Sequence, residues 1–349
     1  MSHDVAAPGA GSPPDAARDW PPVSVIMPVW NEERHLRAAV RQVLAQDYPA
    51  PLEVVLAVAP SDDDTEAIAR ELAAEDARVR IVANPAGITP SGLNAAIKES
   101  KYDIIVRVDG HGMLSPGYIR RAVELLDETG ADNVGGVMAA EGETPFEEAV
   151  ARAYCSPLGL GGGRFHVGGQ AGPADTVYLG VFRRATLERL GGFDETYVRA
   201  QDWELNHRIR ASGGLVWFSP ELRVTYRPRP NLGALARQFF QTGKWRRLIG
   251  RKHPGTFTLR YLAPPVALLA CVAGLLLGVV GALTGIPWLL LGFVPPGGYI
   301  AGVVAGSVVF GRGLPIRAWL WLPVVVATMH MTWGLGFLLS PRRLAPAPR

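Results

Sequence analysis

The sequence predicts an α/β fold: a mostly parallel sheet flanked by helices, followed by C-terminal transmembrane helices. Three observations carry that expectation. From Val23 to Val108, short runs of Val, Ile and Leu alternate with amphipathic helical segments. Charge is split along the chain: Glu221 is the last acid, and the segment from Asn231 onward holds 12 of the 35 Lys and Arg. Three long apolar stretches then close the chain, at about 262–285, 286–310 and 316–339.

The elements follow in order. Val23 to Met27 reads as a buried strand stopped by Pro28. A helix is expected from about Asn31, with Asn31 as its N-cap and Glu32 and Glu33 in the first turn, where the helix dipole favours acids. Leu36, Val40, Val43 and Leu44 share one face of it, and Tyr48-Pro49 ends it. Leu52 to Ala59 is a second strand. Asp62, Asp63 and Asp64 then lead a helix with Ile68 and Leu72 on one side. Val79 to Ala83 and Ile104 to Val108 are the third and fourth strands. Strands joined by helices this way pair in parallel through right-handed crossovers. Ligands of such sheets bind at the carboxyl ends of the strands. Pro28-Val29-Trp30-Asn31-Glu32 and Asp109-Gly110-His111 both fall at such ends and are expected to face one crevice.

Composition excludes several classes. The two cysteines, Cys155 and Cys271, lie in unlike surroundings, which argues against a structural disulfide. No CxxC or HExxH pattern marks a zinc site. Residues 1–22 lack an apolar core, so they read as a disordered tail rather than a signal peptide. The bases cluster at the membrane border, so no nucleic-acid partner is expected.

Each apolar stretch approaches the ~20 residues that cross a bilayer. Lys244, Arg246, Arg247, Arg251, Lys252 and Arg260 precede the first, which puts the front domain in the cytoplasm by the positive-inside rule. Three spans would leave Arg342, Arg343 and Arg349 outside, against that rule. Pro295-Pro296-Gly297-Gly298 makes the middle stretch a kinked span or a re-entrant hairpin. The expected domains are the tail 1–22, a catalytic domain 23–243, a basic juxtamembrane segment 244–261, a membrane domain 262–340 and a tail 341–349.

Four clusters carry candidate chemistry. Asp109-Gly110-His111 at a strand end suits a divalent cation holding a diphosphate, although an isolated Asp-Gly is more often a turn. Asp194-Glu195 and Gln201-Asp202-Trp203-Glu204, after the Gly191-Gly192-Phe193 turn, offer a general base or simply a solvated helix start. Gln241-Thr242-Gly243-Lys244-Trp245 is either an interfacial anchor or a lid over a sugar or diphosphate. Gly159 to Gly169, with eleven residues of which six are Gly, is a mobile loop or a close approach to a ligand, and it matches no P-loop.

Taken in order and spacing, these motifs resemble the inverting family-2 glycosyltransferases of GT-A, Rossmann-like fold over roughly residues 22–255. The resemblance extends to the exopolysaccharide chain-extending members of the succinoglycan type. It rests on Arg107-Val-Asp-Gly-His111, on Asp175-Thr-Val-x-x-Gly-x-Phe-Arg-Arg184, and on Gln201-Asp-x-Glu-x-Asn-x-Arg208. It implies a nucleotide diphospho-sugar donor, most often of UDP, bound along Pro28, Val29, Asn31, Glu32, Asp109 and Gly110. It implies Mn²⁺ or Mg²⁺ at Asp109 and His111, with histidine favouring Mn²⁺. Asp202 stands at the catalytic-base position, and Gln241, Lys244 and Trp245 match the Gln-x-x-Arg-Trp motif, with Lys for Arg, at the acceptor and diphosphate. The chain departs from the pattern twice. Val58-Ala59-Pro60 stands where many members carry a base-contacting acid, and Asp-Gly-His lacks the second carboxylate of Asp-x-Asp.

The implied function is transfer of a sugar to a polyprenyl-linked glycan acceptor at the inner or plasma membrane, in exopolysaccharide or envelope-glycan synthesis. Other envelope-glycan assembly enzymes are the expected partners. The alternatives are a polyprenyl-phosphate monosaccharide synthase, a processive polysaccharide synthase, which usually needs more spans, and a non-catalytic assembly protein on a transferase scaffold.

Overall fold

A computed structural model describes residues 18–160, 163–256 and 259–342. Residues 1–17 and 343–349 of the two expected tails, and Gly161 and Gly162 of the glycine-rich stretch, lie outside the described residues.

The four strands expected from the sequence form half of one sheet. They are β1 (Val23–Val29), β2 (Leu52–Val58), β3 (Val79–Ala83) and β4 (Ile104–Arg107), adjacent in the order β3-β2-β1-β4 and all parallel. The helices α1 (Leu36–Leu44), α2 (Thr65–Glu75) and α3 (Thr89–Glu99) connect them. Successive residues of β1 point to opposite faces, so Val23, Val25, Met27 and Val29 join one core with α1 and α2. Ile26 joins the other, with Leu93 of α3.

The first helix begins later than expected. Asn31 does not cap it: its backbone is left-handed, with φ of 52°. The Asn31 amide donates to Ser61 Oγ, its Oδ1 accepts from the Asp62 amide, and the Glu32 amide donates to Thr65 Oγ1. The 31–33 loop is thus stitched to the loop after β2, and α1 starts at Leu36, after Glu32 O has accepted from His35 and Leu36.

Beyond β4 the sheet becomes mixed. It continues through β8 (Tyr178–Arg183), β6 (Asn133–Ala140), β9 (Val216–Tyr226) and β5 (Met113–Leu114), with β7 (Gly172–Pro173) on β9. β8 is antiparallel to both β4 and β6, whereas β6 and β9 run parallel. Helices α4 (Tyr118–Thr129), α5 (Pro145–Tyr154), α6 (Pro157–Leu160), α7 (Arg164–Val167), α8 (Arg184–Arg189) and α9 (Gln201–Ala211) fill the connections.

The back half is helical: α10 (Leu232–Lys252), α11 (Leu259–Thr284), a 3-10 turn (Pro287–Phe293) leading into α12 (Val294–Phe310), and α13 (Ile316–Leu338). Helix α10 runs unbroken across residues 243 and 244. Three segments, 259–284, 287–310 and 316–338, are long and apolar enough to cross a membrane. Pro295 and Pro296 sit in the first turn of α12, where proline fits without breaking the helix.

These three segments differ in surroundings. Helices α11 and α12 pair as an antiparallel hairpin: Gly274 and Gly278 of α11 approach Gly292 and Phe293, and Gly281 approaches Leu289. Their outer faces are apolar and exposed, as at Leu276, Leu283, Val294 and Ile300. Helix α13 instead packs on α5 of the front domain and on α10, where Leu322, Val325, Val326 and Met329 are buried. Both of its ends are tied there. Arg152 of α5 donates to Phe310 O and Arg312 O just before it, each at 3.0 Å. At the other end Arg247 donates to Phe337 O and Leu338 O, at 2.9 and 2.7 Å, and Ser340 Oγ to Lys244 O at 2.9 Å.

Candidate active site

Strands β1 and β4 lie side by side in parallel, with Ile26 opposite Arg107, so their carboxyl-end loops meet. His111 Nδ1 stands 2.6 Å from Glu32 Oε1. Gly110 permits this approach, since a Cβ there would sit 2.9 Å from Glu32 Cγ. The Glu32 hydrogen bond raises the pKa of the His111 ring, with the Glu32 and Asp109 charges acting the same way, while burial and the nearby charge of Arg229 oppose them.

Arg107, the last residue of β4, is buried to 2% exposure. A buried guanidinium needs acceptors. It finds Asp109 Oδ1 at 3.0 Å and forms a short ion pair with Asp202 Oδ1. One cation therefore joins the two acids that the sequence places 93 positions apart. Both carboxylates keep about a quarter of their surface open, 23% and 25%.

Asp202 is delivered by a strained entry. Ala200 is left-handed, at φ 61°, and α9 starts directly after it, with Asp202 in its first turn. For a residue with a Cβ, that conformation costs roughly 1 kcal/mol and persists only where the surroundings hold it. They do so on two sides. Glu204, buried, pairs with Arg208, whose guanidinium also binds Leu190 O and Gly192 O of the Gly191-Gly192 turn, at 2.7 and 2.8 Å. Asn94 receives the Phe193 amide at 2.8 Å and donates back to Phe193 O at 2.9 Å. Asp194 and Glu195 stand apart from this centre: Asp194 binds the Thr196 amide and Glu195 binds Asn94.

Gln241, Lys244 and Trp245 lie on α10. Trp245 is buried with Tyr197, Leu248 and Ile249 against Val198, Ala200 and Trp203, so its ring backs the segment that leads into α9 and Asp202. Lys244 Nζ lies 5.5 Å over the Phe240 ring. Gln241 lines a cavity of about 650 Å³ together with Arg199 and Arg229. Pro28 and Val29 end β1, half-buried and buried, beside the Asn31–Glu32 corner. In the glycine-rich stretch, Gly168 and Gly169 have φ of 81° and 133°, and Gly159 is pressed against the Ala153 carbonyl.

Asp109, Gly110, His111, Glu32 and Asp202 are therefore brought together. Of the α10 residues, Trp245 packs on the 197–203 segment and Gln241 lines the cavity with Arg199, whereas Lys244 faces Phe240 and its carbonyl meets Ser340 at the end of α13. Sequence reasoning quoted Arg107 in the strand-end motif but gave it no role. Its signal was present: a lone charge closing an Ile-Ile-Val strand, two positions before an acid. It gave no role either to Arg199 and Arg229, which line the cavity beside Gln241.

Among the described residues no three His, Cys, Asp or Glu side chains gather as a metal cage. What is present is Asp109 Oδ2 and His111 Nε2, with Glu32 behind the histidine as a carboxylate that fixes its ring. That donor set fits a cation that shares its coordination with diphosphate oxygens, as Mg²⁺ and Mn²⁺ commonly do.

An open sheet with paired acids at the ends of its first and fourth strands, followed by apolar helices, defines a membrane-associated sugar transferase of GT-A architecture. The comparisons with known proteins agree. The profile of glycosyl transferase family 2 matches residues 24–191. The succinoglycan biosynthesis protein ExoA of Rhizobium meliloti is 31% identical over 329 residues, covering 91% of this chain and 96% of that protein. The dolichyl N-acetyl-alpha-D-glucosaminyl phosphate 3-beta-D-2,3-diacetamido-2,3-dideoxy-beta-D-glucuronosyltransferase of Methanococcus voltae is 23% identical over 251 residues, covering 69% and 77%. A mannosyltransferase of Pyrobaculum calidifontis, solved in complex with GDP-Man and Mn²⁺, shares the fold at TM-score 0.56 and 21% identity, over 93% of this chain and 90% of that one. The chain belongs to glycosyl transferase family 2. It is a glycosyltransferase that uses a nucleotide-sugar donor and is associated with the membrane through its C-terminal helices.

Proposed function

We propose that the protein transfers a sugar, with inversion, from a nucleotide diphospho-sugar, UDP-linked in the first instance, to a polyprenyl-linked glycan in exopolysaccharide or cell-envelope glycan synthesis. The catalytic domain faces the cytoplasm, on the side of the basic segment around α10. One observation carries the reading: Arg107 holds Asp109 and Asp202 at one crevice, beside the Glu32–His111 pair.

Pro28, Val29, Asn31, Glu32, Asp109 and Gly110 line the donor side. Asp109 and His111 would hold Mn²⁺ or Mg²⁺, which when bound neutralises charge on the departing diphosphate. Asp202 pairs with Arg107 through Oδ1, and Oδ2 would accept the proton. The acceptor hydroxyl gives that proton to Asp202 as its oxygen bonds to the anomeric carbon. The bond from that carbon to the diphosphate breaks on the opposite face, and the nucleoside diphosphate leaves with the electron pair. Gln241 and Lys244 add polar and positive contacts on the acceptor and diphosphate side, and Trp245 supports the loop that presents the base.

The test is a panel of nucleotide sugars offered to membranes containing the protein, with donor consumption as the readout. One donor is expected to be consumed, and EDTA is expected to stop it. No consumption of any donor, in membranes that supply lipid acceptors, would sink the reading. Turnover undiminished by EDTA would remove the metal from it.

A further inference from the structure

We propose that Arg199, Arg229 and Arg237 form a binding pocket for the phosphate or diphosphate group of the lipid-linked acceptor. This rests on the function proposed above and names the part of the substrate that the sequence motifs leave unassigned. The three arginines line the cavity of about 650 Å³ between the 197–203 loop, the β9–α10 connection, α10 and α13, together with Gln238, Gln241 and Thr332. That volume lies in the range of small-molecule sites.

No acid lines the cavity, and among the described residues none of the three guanidinium groups has an ion-pair partner. No acid follows Glu221 in the chain, so none can be supplied from α10 or α13. Three unneutralised cations around one space repel each other and draw an anion. All three arginines are exposed, so an anion reaches them from solvent. Arg229 is also held in place. Its Nε donates to Gln238 Oε1 at 3.2 Å, and Gln238 is in turn fixed by the hydroxyls of Tyr154 and Tyr226, each at 3.1 Å. Arginine forks match phosphate oxygens in geometry as well as charge.

Position selects the ligand. Thr332 belongs to α13, whose outward face is apolar at Leu320, Val324 and Leu335, so a prenyl chain can stay in lipid while its anionic end enters the cavity. Arg199 precedes Asp202 by three residues, on the segment that Trp245 of α10 backs. A phosphate held there would direct the attached sugar toward the base.

The test uses the full chain in phosphatidylcholine nanodiscs, probed with geranylgeranyl diphosphate, geranylgeraniol and UDP with Mn²⁺. The wild type is expected to bind the diphosphate at least about 10-fold tighter than the alcohol, the scale of one or two charge-assisted hydrogen bonds. Arg199→Gln with Arg237→Gln should erase most of that difference and leave UDP binding unchanged. Arg237→Lys should keep part of it, which also controls for folding. Equal binding of diphosphate and alcohol by the wild type would overturn the pocket. So would a parallel loss of UDP binding, which would assign the arginines to the donor. Loss of the difference in phosphatidylglycerol discs would assign them to bulk anionic lipid and overturn it too. A wild type that binds no nucleotide and consumes no donor would instead defeat the transferase reading itself.

A separate observation, the docking of α13 at both ends, carries a second inference. We infer that α11 and α12 cross the bilayer as a hairpin and that α13 lies along the membrane face of the catalytic domain. Helix α11, with 26 residues, spans about 39 Å, enough to cross. The chain then returns at Arg312 and Arg317, and α13 runs from Arg152 of α5 to Arg247 of α10, packed on both helices and, at Gly334, on Pro264 of α11. Two crossings put Arg342 on the catalytic side, which removes the conflict with the positive-inside rule. Single cysteines at Asp103, Leu283 and Arg342, in a chain carrying Cys155→Ser and Cys271→Ala, would be labelled with an impermeant maleimide in intact cells and inverted vesicles. Positions 103 and 342 should react from one face and 283 from the other. Reaction of 342 from the face opposite 103, or of all three from one face, would overturn the topology.

Discussion

Arg107 is the residue on which the site turns. It is buried, and its two partners are the acids assigned to the donor and to the base. Arg107→Met keeps volume but strands both carboxylates. Breaking a buried pair costs roughly 3–5 kcal/mol, and the open quarter of each acid places this case at the low end. The expected result is a lower unfolding temperature and loss of transfer by at least about 100-fold, read by thermal denaturation and donor consumption. Behind His111, Glu32→Gln is expected to weaken Mn²⁺ binding about 10- to 100-fold, measured by metal titration in the presence of the nucleotide. A clear preference for Mg²⁺ over Mn²⁺ in the wild type would count against His111 as a ligand. The sequence made Asp109, His111 and Asp202 legible through order and spacing. It could not show that Arg107 joins them, because a strand-end arginine gains meaning only once β4 and α9 are adjacent.

Among the elements, those read most easily were the ones whose side-chain period is unbroken. β1, β2, β3 and β4 are short runs rich in Val, Ile and Leu, and α1 between the first two carries one apolar face. The later strands were hidden by the residues that let them pack. In β6, a Cβ on Gly136 would collide with the Leu222 backbone of β9, and one on Gly135 would crowd Val177. These glycines permit close strand contact and erase the strand signal. The start of α1 was misplaced for a related reason, since Asn31 spends its amide on the loop after β2. Where α10 meets α13, Gly243 lies on the Trp333 carbonyl and Gly336 on the Phe240 carbonyl. Gly243→Val or Gly336→Val should separate the two helices at a cost of roughly 1–3 kcal/mol, lowering the unfolding temperature in detergent and the transfer rate together. Gly298→Ala, in open space on α12, should leave both unchanged.

At the scale of the whole molecule, the split in charge that opened the sequence becomes a division of labour. The acids gather in the front domain, and the acid-free back half supplies apolar helices, the juxtamembrane bases and most of the residues that line the arginine cavity. Asp202, the proposed base, stands in the first turn of α9, beside the 197–200 segment that Trp245 of α10 backs. The central claim is that this acid moves the proton in sugar transfer. The direct test compares membranes bearing the wild type with membranes bearing Asp202→Asn, following sugar from the consumed donor into the lipid fraction. Transfer by the variant should fall by about 10²- to 10⁴-fold while its nucleotide binding is retained. Full turnover by Asp202→Asn would contradict the account.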